Sequence, residues 1–305
     1  MSPPETQVLP FDEAGIARAA AVILGGQPVA VPTETVYGLA ADATSAEAVA
    51  RIYAAKGRPS FNPLIVHVPD LTAGERLGVF DQEARALAEA HWPGPLTIVV
   101  PARADNGIAA IVTAGLGTIA LRVPAHPAMQ ALLAATDRPL AAPSANASGR
   151  ISPTRAAHVL ASLNGKIPLV IDGGATARGI ESTILAATGG GLRLLRRGPV
   201  EVDAPLATGA IEAPGMMASH YAPTKPLRLD ATEARDGEFL IGFGAVAGDA
   251  NLSESGDLIE AAARLFHLLH LADASAKPNI AVAPIPSEGL GAAIKDRLTR
   301  AAASR

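Results

Sequence analysis

Strand and helix signals interleave along the first two thirds of this chain, and the later strands follow one another with few helices between them. These two observations predict an α/β fold built on a twisted mixed sheet with flanking helices, rather than a strictly parallel one. A third is length: 305 residues leave room for two cores. The stretch from Ala213 to Pro223 is punctuated by proline and glycine without sustained periodicity, as a linker is. The expected organisation is a first domain over 1–211, a linker over 212–226 and a small α/β domain over 227–305.

Each element has a local reason. Asp12 is placed to cap a helix with Ile16, Ala19, Ala20 and Ile23 on one face, stopped at Gly25-Gly26. A strand from Pro28 to Pro32 leads through the polar corner Thr33-Glu34-Thr35 into a second apolar run, Val36 to Ala40. Ser45 caps the next helix, whose Val49, Ile52 and Tyr53 keep core spacing, and Leu64 to Val68 is a fully apolar strand. Asp81 opens a helix that Trp92-Pro93-Gly94-Pro95 ends. Strands follow at Leu96 to Val100, Thr118 to Val123 and Leu140 to Pro143. Ser152-Pro153 reads as a helix start, a capping hydroxyl before a proline. Strands at Ile167 to Ile171, Thr183 to Ala186 and Leu192 to Leu195 complete the first domain. The second holds strands near Leu227, Phe239 and Ile280, with helices from Asp257 and Leu290.

Composition narrows the function. At 49% hydrophobic and 18% charged, the chain reads as an ordinary soluble protein, expected in the cytoplasm. Its start lacks the basic and apolar runs of a secretory signal. The longest uncharged stretch, Asn106 to Leu121, is interrupted by glycines and threonines and falls short of a membrane span. A net charge of −4 and 3% aromatics argue against bulk nucleic-acid binding and against stacking platforms for single strands. No cysteine is present, which excludes disulfides, thiolate metal sites and cysteine nucleophiles. No phosphate-binding G-x-x-x-x-G-K-[ST] and no H-E-x-x-H occurs. His267 and His270 lie one helical turn apart with no carboxylate in register, so they make no metal motif.

Two polar loops stand out at strand and helix ends, where open α/β sheets gather ligands. The first, Lys56-Gly57-Arg58-Pro59-Ser60-Phe61-Asn62-Pro63, leaves a helix at glycine, sets two cations one residue apart and is stiffened by two prolines. Such a loop suits phosphate; its two cations would equally complement the negative end of the preceding helix. The second, Pro143-Ser144-Ala145-Asn146-Ala147-Ser148-Gly149, is a run of small hydrogen-bonding residues after an apolar strand.

Together these loops carry a resemblance. Lys56-x-Arg58, Ser144-x-Asn146 and Pro32-Thr33-Glu34-Thr35-Val36-Tyr37-Gly38-Leu39 resemble the threonylcarbamoyl-AMP synthase family, in its long two-domain form with a YrdC-like catalytic domain. Trp92-Pro93-Gly94-Pro95-Leu96-Thr97, Leu121-Arg122-Val123-Pro124, Gly179-Ile180-Glu181-Ser182-Thr183-Ile184 and Leu195-Arg196-Arg197-Gly198 fit it in order, over nearly the whole chain. The resemblance implies a YrdC-like sheet and a nucleotidyltransferase. L-threonine, bicarbonate and ATP would give threonylcarbamoyl-adenylate and pyrophosphate, for threonylcarbamoyladenosine beside the tRNA anticodon. It implies catalytic roles for Lys56, Arg58, Ser144 and Asn146, and an ATP side of Arg58, Asn62, Ser144, Ser152, Arg196 and Tyr221. The threonine seat would be Thr35, His67, Thr118, Arg122, Ala142 and Ser182. Mg²⁺ would arrive with ATP, without a protein ligand motif. The product would pass to a tRNA threonylcarbamoyl transferase.

Several positions carry a plainer reading beside that one. Ser152 would cap its helix with or without ATP, His67 would be a satisfied core histidine, and Arg122 would pair with one of the chain's own acids. Arg197 stands where the family more often has proline, which leaves open which of Arg196 and Arg197 faces phosphate. The linker, with Gly215, His220 and Tyr221, is either a lid over the cleft or a plain tether. Two other functions fit less: an RNA-binding module that grips a duplex backbone through the basic cleft, and a hydrolase of a carbamoyl phosphate-like compound.

Overall fold

The computed structural model describes residues 5–59, 61–207, 212–213 and 220–303. The order of elements is β1 (Gln7–Pro10), α1 (Glu13–Leu24), β2 (Val29–Pro32), β3 (Tyr37–Asp42), α2 (Ala46–Lys56), β4 (Ile65–His67), α3 (Leu71–Leu77), α4 (Gln82–His91), β5 (Leu96–Pro101), α5 (Ala110–Thr113) and β6 (Thr118–Arg122). There follow α6 (Pro127–Thr136), β7 (Leu140–Ala141), α7 (Ala156–Leu163), β8 (Leu169–Asp172), β9 (Thr183–Ala187) and β10 (Leu192–Arg196). The C-terminal unit adds β11 (Leu227–Arg228), β12 (Glu238–Gly242), β13 (Ala250–Asn251), α8 (Leu258–Ala274), β14 (Asn279–Val282) and α9 (Gly289–Ala302). Among the described residues no helix is long and apolar enough to cross a membrane.

The caps sit where the sequence puts them. Asp12, Ser45, Asp81 and Asp257 each accept a hydrogen bond from the backbone N–H three residues on, worth about 1 kcal/mol apiece. Gly57 ends α2 in the left-handed region at φ 60°, so Lys56 is the last helical residue and Arg58 already belongs to the loop.

The large sheet runs β1-β8-β2-β3-β7-β4-β6-β5-β9-β10 and is mixed. The pairs β1/β8, β2/β8, β4/β6 and β5/β9 are parallel; β2/β3, β3/β7, β4/β7, β5/β6 and β9/β10 are antiparallel. The small sheet, β11-β14-β12-β13, is parallel throughout.

Alternation along the strands sorts the layers. Ala30, Val66, Ile119, Leu121 and Val170 point to one face of the large sheet, where α2, α4, α5 and α7 close a single core. Their neighbours Val29, Val31, Leu169 and Ile171 point to the other, under α1 and α6. Farther along that second face, Ile65, Val99, Ala120, Ile184 and Leu195 form a patch over which no helix lies among the described residues. The same alternation turns His67, Arg122 and Ser182 onto this patch. In β10 the register against β9 slips between Leu194 and Arg196, and the bulge puts Arg196 opposite Ile184, on that face as well.

The C-terminal unit docks on the edge of this region. Val36, Ile151, Ile180 and Tyr221 pack into its apolar core beside Phe266, Leu269 and Ile294. His158 of α7 stacks on His270 and His267 of α8, at ring-centre distances of 4.0 and 5.4 Å, and the His270 Nε2–H donates to the Ser152 carbonyl at 3.2 Å.

Some local readings fail. Ser152-Pro153 does not start a helix: α7 begins at Ala156 after Arg155, and the Ser152 hydroxyl donates instead to Glu181 Oε1 at 2.5 Å. The charge-assisted hydrogen bond to a buried carboxylate fixes the hydroxyl away from the backbone N–H groups it would have accepted from as a cap. Helix α6, with Pro127 in its first turn and His126 as cap, has no counterpart in the sequence reading, nor do β1, α3 and α5. Of the expected linker, residues 214–219, including Gly215, lie outside the described residues.

One contact fixes the docking distance. Gly179 has φ 70°, and a Cβ there would lie 2.3 Å from the Ala262 carbonyl oxygen and 2.4 Å from Ala263 Cα of α8. Overpacking costs about 1–3 kcal/mol, and a left-handed dihedral about 1–2 kcal/mol more. Gly179→Ala is therefore expected to lower the thermal unfolding midpoint by roughly 4 °C or more; differential scanning calorimetry checks it.

Candidate active site

This second patch of the sheet and the two polar loops enclose one cleft. It is lined by Thr33, Thr35, Val36, Gly38, Arg58, Ile65, His67, Arg122, Ala142, Pro143, Ser144, Glu181, Ser182, Arg196, His220 and Tyr221, around a cavity of about 50 Å³.

On the side of the cationic loop, Lys56 is buried. Its Nζ donates to the carbonyls of Ser144 and Asn146, both at 2.5 Å. Burial, reinforced by Arg58, pushes the ammonium well below its usual range. The lysine thus clamps the Ser144–Asn146 loop and is not among the residues that line the cavity. The amide of Asn146 also turns inward, donating to the carbonyls of Ala147 and Arg150 at 2.9 Å each, while its Oδ1 is buried without a partner. Asn62 holds the same loop: its carbonyl accepts from Tyr53 Oη at 3.0 Å and Arg58 Nε at 3.2 Å. Arg58 is left to face the cleft. It is anchored to Pro63 O at 2.9 Å, and burial lowers its pKa to about 10.

Arg196 enters from β10. Its Nε donates to Ser182 O and an Nη to Ser182 Oγ, both at 3.0 Å, and Ser182 shares a further hydrogen bond with Thr97 Oγ1 at 2.8 Å. Arg197 is exposed, so the cleft-facing arginine of the pair is Arg196. Gly198 makes this approach possible, since a Cβ there would sit 2.3 Å from Thr183 N.

Across the cleft, Arg122 is 4% exposed and fully engaged: Nε to Gly94 O at 3.2 Å, one Nη to Thr35 Oγ1 at 3.0 Å, the other to Glu34 Oε1 at 2.6 Å. The structural ion pair is therefore real, and Arg122 still borders the cavity. Burial raises the Glu34 carboxyl, but the charge and hydrogen bond of Arg122 outweigh it, and the net shift is downward. His67, at the end of β4, is driven to about 3 by burial and by Arg122, so it is neutral, and its Nδ1 is buried without a partner. Ala142 commits its N–H to Ile65 O at 3.0 Å, leaving its carbonyl as the group it could offer.

Thr118 is not brought to the site. It opens β6 while Arg122 ends it, and four residues of strand separate them by about 13 Å. Ser152, fully buried behind Glu181, stands outside the cleft wall too. Sequence reading missed Glu34 and Glu181, although both lie inside the quoted motifs. Each is a buried acid held by an arginine distant in sequence, Arg122 and Arg297 respectively.

His220 and Tyr221 close the cavity. The amide of His220 donates to Arg300 O at 3.2 Å and that of Ala222 to Gly149 O at 2.9 Å. Between these pins Tyr221 takes φ 63°, its ring against Phe266 and its hydroxyl buried without a partner.

With this geometry in view, the comparisons are specific. Residues 21–198 match the family model described as "Telomere recombination" (Sua5_yciO_yrdC), and residues 176–303 match "Threonylcarbamoyl-AMP synthase, C-terminal domain". A threonylcarbamoyl-AMP synthase of Bacillus subtilis is 38% identical over 98% of this chain and 96% of its own. The chain belongs to the threonylcarbamoyl-AMP synthase family. A second family member, from Pyrococcus abyssi, is 38% identical over 97% of this chain and 96% of its own. The crystal structure of P. abyssi Sua5 complexed with L-threonine superposes with a TM-score of 0.88 at 35% identity, covering 97% of this chain and 96% of that one.

Acid sensitivity follows from the buried histidines. Burial is the main cause that depresses His67, His158 and His220 to about 3 and His270 to about 4, against an ordinary value near 6.5. Because the unfolded chain takes up these protons first, the stability they hold is complete above about pH 6.5. It is lost as the pH falls from there towards 3 to 4. Each group contributes at most about 1.4 kcal/mol per pH unit. Thermal midpoints should therefore drop steeply between pH 6.5 and 4.5, and His158→Phe should make that drop shallower.

Proposed function

We propose that this chain makes threonylcarbamoyl-adenylate from L-threonine, bicarbonate and ATP, releasing pyrophosphate, for threonylcarbamoyladenosine beside the tRNA anticodon. The observation that carries the reading is one cleft with two chemical ends. Arg58, Arg196 and Ser144 stand at one end; Arg122, Thr35, His67 and Ser182 stand at the other.

The reaction demands such a pair of ends. The threonine amine takes carbon dioxide from bicarbonate, with loss of water, to give a carbamate. A carbamate oxygen then attacks the α-phosphorus, the bond from that phosphorus to the β-bridging oxygen breaks, and pyrophosphate leaves with the electron pair. Negative charge gathers on the phosphates, where fixed cations in a dry cleft stabilise it most. Arg58 and Arg196 supply planar guanidinium donors suited to phosphate oxygens, and Ser144 adds a hydroxyl. Lys56, Asn62, Asn146 and Ser152 act behind them, by fixing the loops and Glu181. At the amino-acid end, Arg122 pairs with the carboxylate by sharing an Nη, and neutral His67, Thr35 and Ser182 receive the hydroxyl and amine. No side chain is needed as a nucleophile, because positioning and charge stabilisation suffice.

Mg²⁺ enters with the nucleotide in this reading. The carboxylate nearest the arginines, Glu181, is already held by Ser152 and Arg297, so the ion would be carried by phosphate oxygens, where it screens their charge. We assign the chemistry to 1–211, lid contacts to His220 and Tyr221 in 212–226, and support of the lid to 227–305. The chain works in the cytoplasm and passes its product to a tRNA threonylcarbamoyl transferase.

Pyrophosphate release should require ATP, threonine and bicarbonate together; release that persists with threonine omitted would overturn the reading. Arg58→Ala and Arg196→Ala should each cut turnover by about 10²-fold or more. Arg58, the less buried of the two, should show the smaller loss of thermal stability. Tyr221→Ala should raise the KM for ATP more than that for threonine.

A further inference from the structure

The C-terminal unit reaches the cleft wall through apolar contacts to Val36 and Tyr221 and through a buried cation. Arg297 of α9 is 0% exposed. Its Nε donates to Glu181 Oε2 at 2.8 Å, one Nη to Arg197 O at 2.8 Å, the other to Asp296 Oδ2 at 2.9 Å. Its guanidinium carbon lies 5.2 Å from the centre of the Tyr221 ring. A single buried cation thus touches the acid in the cleft wall, the backbone next to Arg196, and the aromatic ring that closes the cavity. Asp296 is shared with Arg300, whose carbonyl in turn holds the amide of His220.

The oddity to be explained is Glu181. A carboxylate in the same wall as Arg58 and Arg196 would repel a polyphosphate and compete for their positive charge. Ser152 satisfies one of its oxygens but leaves its charge intact; among the described residues Arg297 is the ion-pair partner that cancels most of that charge, and Arg196, itself needed for phosphate, adds to it from farther off.

We propose that Arg297 is a positioning residue for the nucleotide: it neutralises Glu181 and seats Tyr221, so the C-terminal unit acts on ATP and not on threonine. The inference rests on the assignment of Arg58 and Arg196 to the phosphates. It gives the second domain a defined task, since among the described residues Thr35, His67, Arg122 and Ser182 at the threonine end are not hydrogen-bond partners of Arg297, which binds Glu181, Asp296 and the Arg197 carbonyl.

The test uses the full chain and steady-state pyrophosphate release, with KM measured separately for ATP and threonine. In Arg297→Met the uncancelled Glu181 should raise the ATP KM about tenfold or more and leave the threonine KM within about twofold. Adding Glu181→Gln removes the offending charge and should bring the ATP KM back to within about fivefold of the parent, the remainder reflecting the lost cation–π contact. A purely structural role predicts the opposite: both KM values move together, and Glu181→Gln restores nothing. Either result overturns the proposal. Should Arg297→Met not fold, the double variant decides alone, because it buries no unpaired charge. An ATP KM within about fivefold supports the proposal and a larger rise overturns it. A parent chain that releases no pyrophosphate would overturn the nucleotide assignment itself, which separates that failure from this one.

Discussion

A charge taken out of water must find a partner or lose its ionisation, and that constraint organises this molecule. The cleft collects Arg58, Arg122 and Arg196 at a sheet face over which no helix lies among the described residues. Each is held by acceptors drawn from a different part of the chain: Arg122 by Glu34 and Thr35, Arg196 by Ser182, Arg58 by the carbonyls of its own loop. The strand order follows from the same requirement, because β4 and β6 must be neighbours for His67 and Arg122 to lie side by side. What results is a set of donors already oriented and already desolvated, which is the state in which electrostatic stabilisation of a departing diphosphate is strongest.

Preorganisation extends to residues that never reach the cavity. Lys56 and Asn146 spend their donors on backbone carbonyls, so the Ser144–Asn146 loop cannot drift from the cationic loop. The two loops that most suggest phosphate chemistry in the sequence are therefore one rigid body, cross-linked by an ammonium. A substitution at Lys56 acts on geometry first and on charge second.

The sequence was most legible where local rules decide. Caps at Asp12, Ser45, Asp81 and Asp257, the left-handed stop at Gly57 and the mixed sheet all follow from patterns within a few residues. Helix α6 was hidden because its Pro-Ala-Met start follows a histidine cap, which is not among the usual signals. Ser152 was misread because its true partner, Glu181, lies 29 residues away. Thr118 lies at the end of β6 away from Arg122 and outside the cavity lining, a placement no local pattern shows because strand direction is a tertiary property. Arg297 gave no local sign at all: its importance arises from a contact 116 residues distant in the chain.

The closing element completes the physical picture. The cavity holds about 50 Å³, the scale of a few waters, and its walls differ in what holds them. His220 and Tyr221 are the part with least to lose. Tyr221 sits in left-handed backbone, at a cost of about 1–2 kcal/mol. Its hydroxyl and His220 Nδ1 are both buried without partners, so moving them outward restores hydrogen bonds to water while it surrenders the packing on Phe266 and Arg297. The Arg122 wall, by contrast, would break a buried ion pair if it moved, and the Lys56 wall would strand an ammonium. Unpartnered buried atoms occur in each wall, His67 Nδ1 and Asn146 Oδ1 among them, but among the described cavity-lining residues left-handed backbone at a non-glycine position is found at Tyr221, whereas the buried ionic contacts belong to the walls of Arg122 and Lys56.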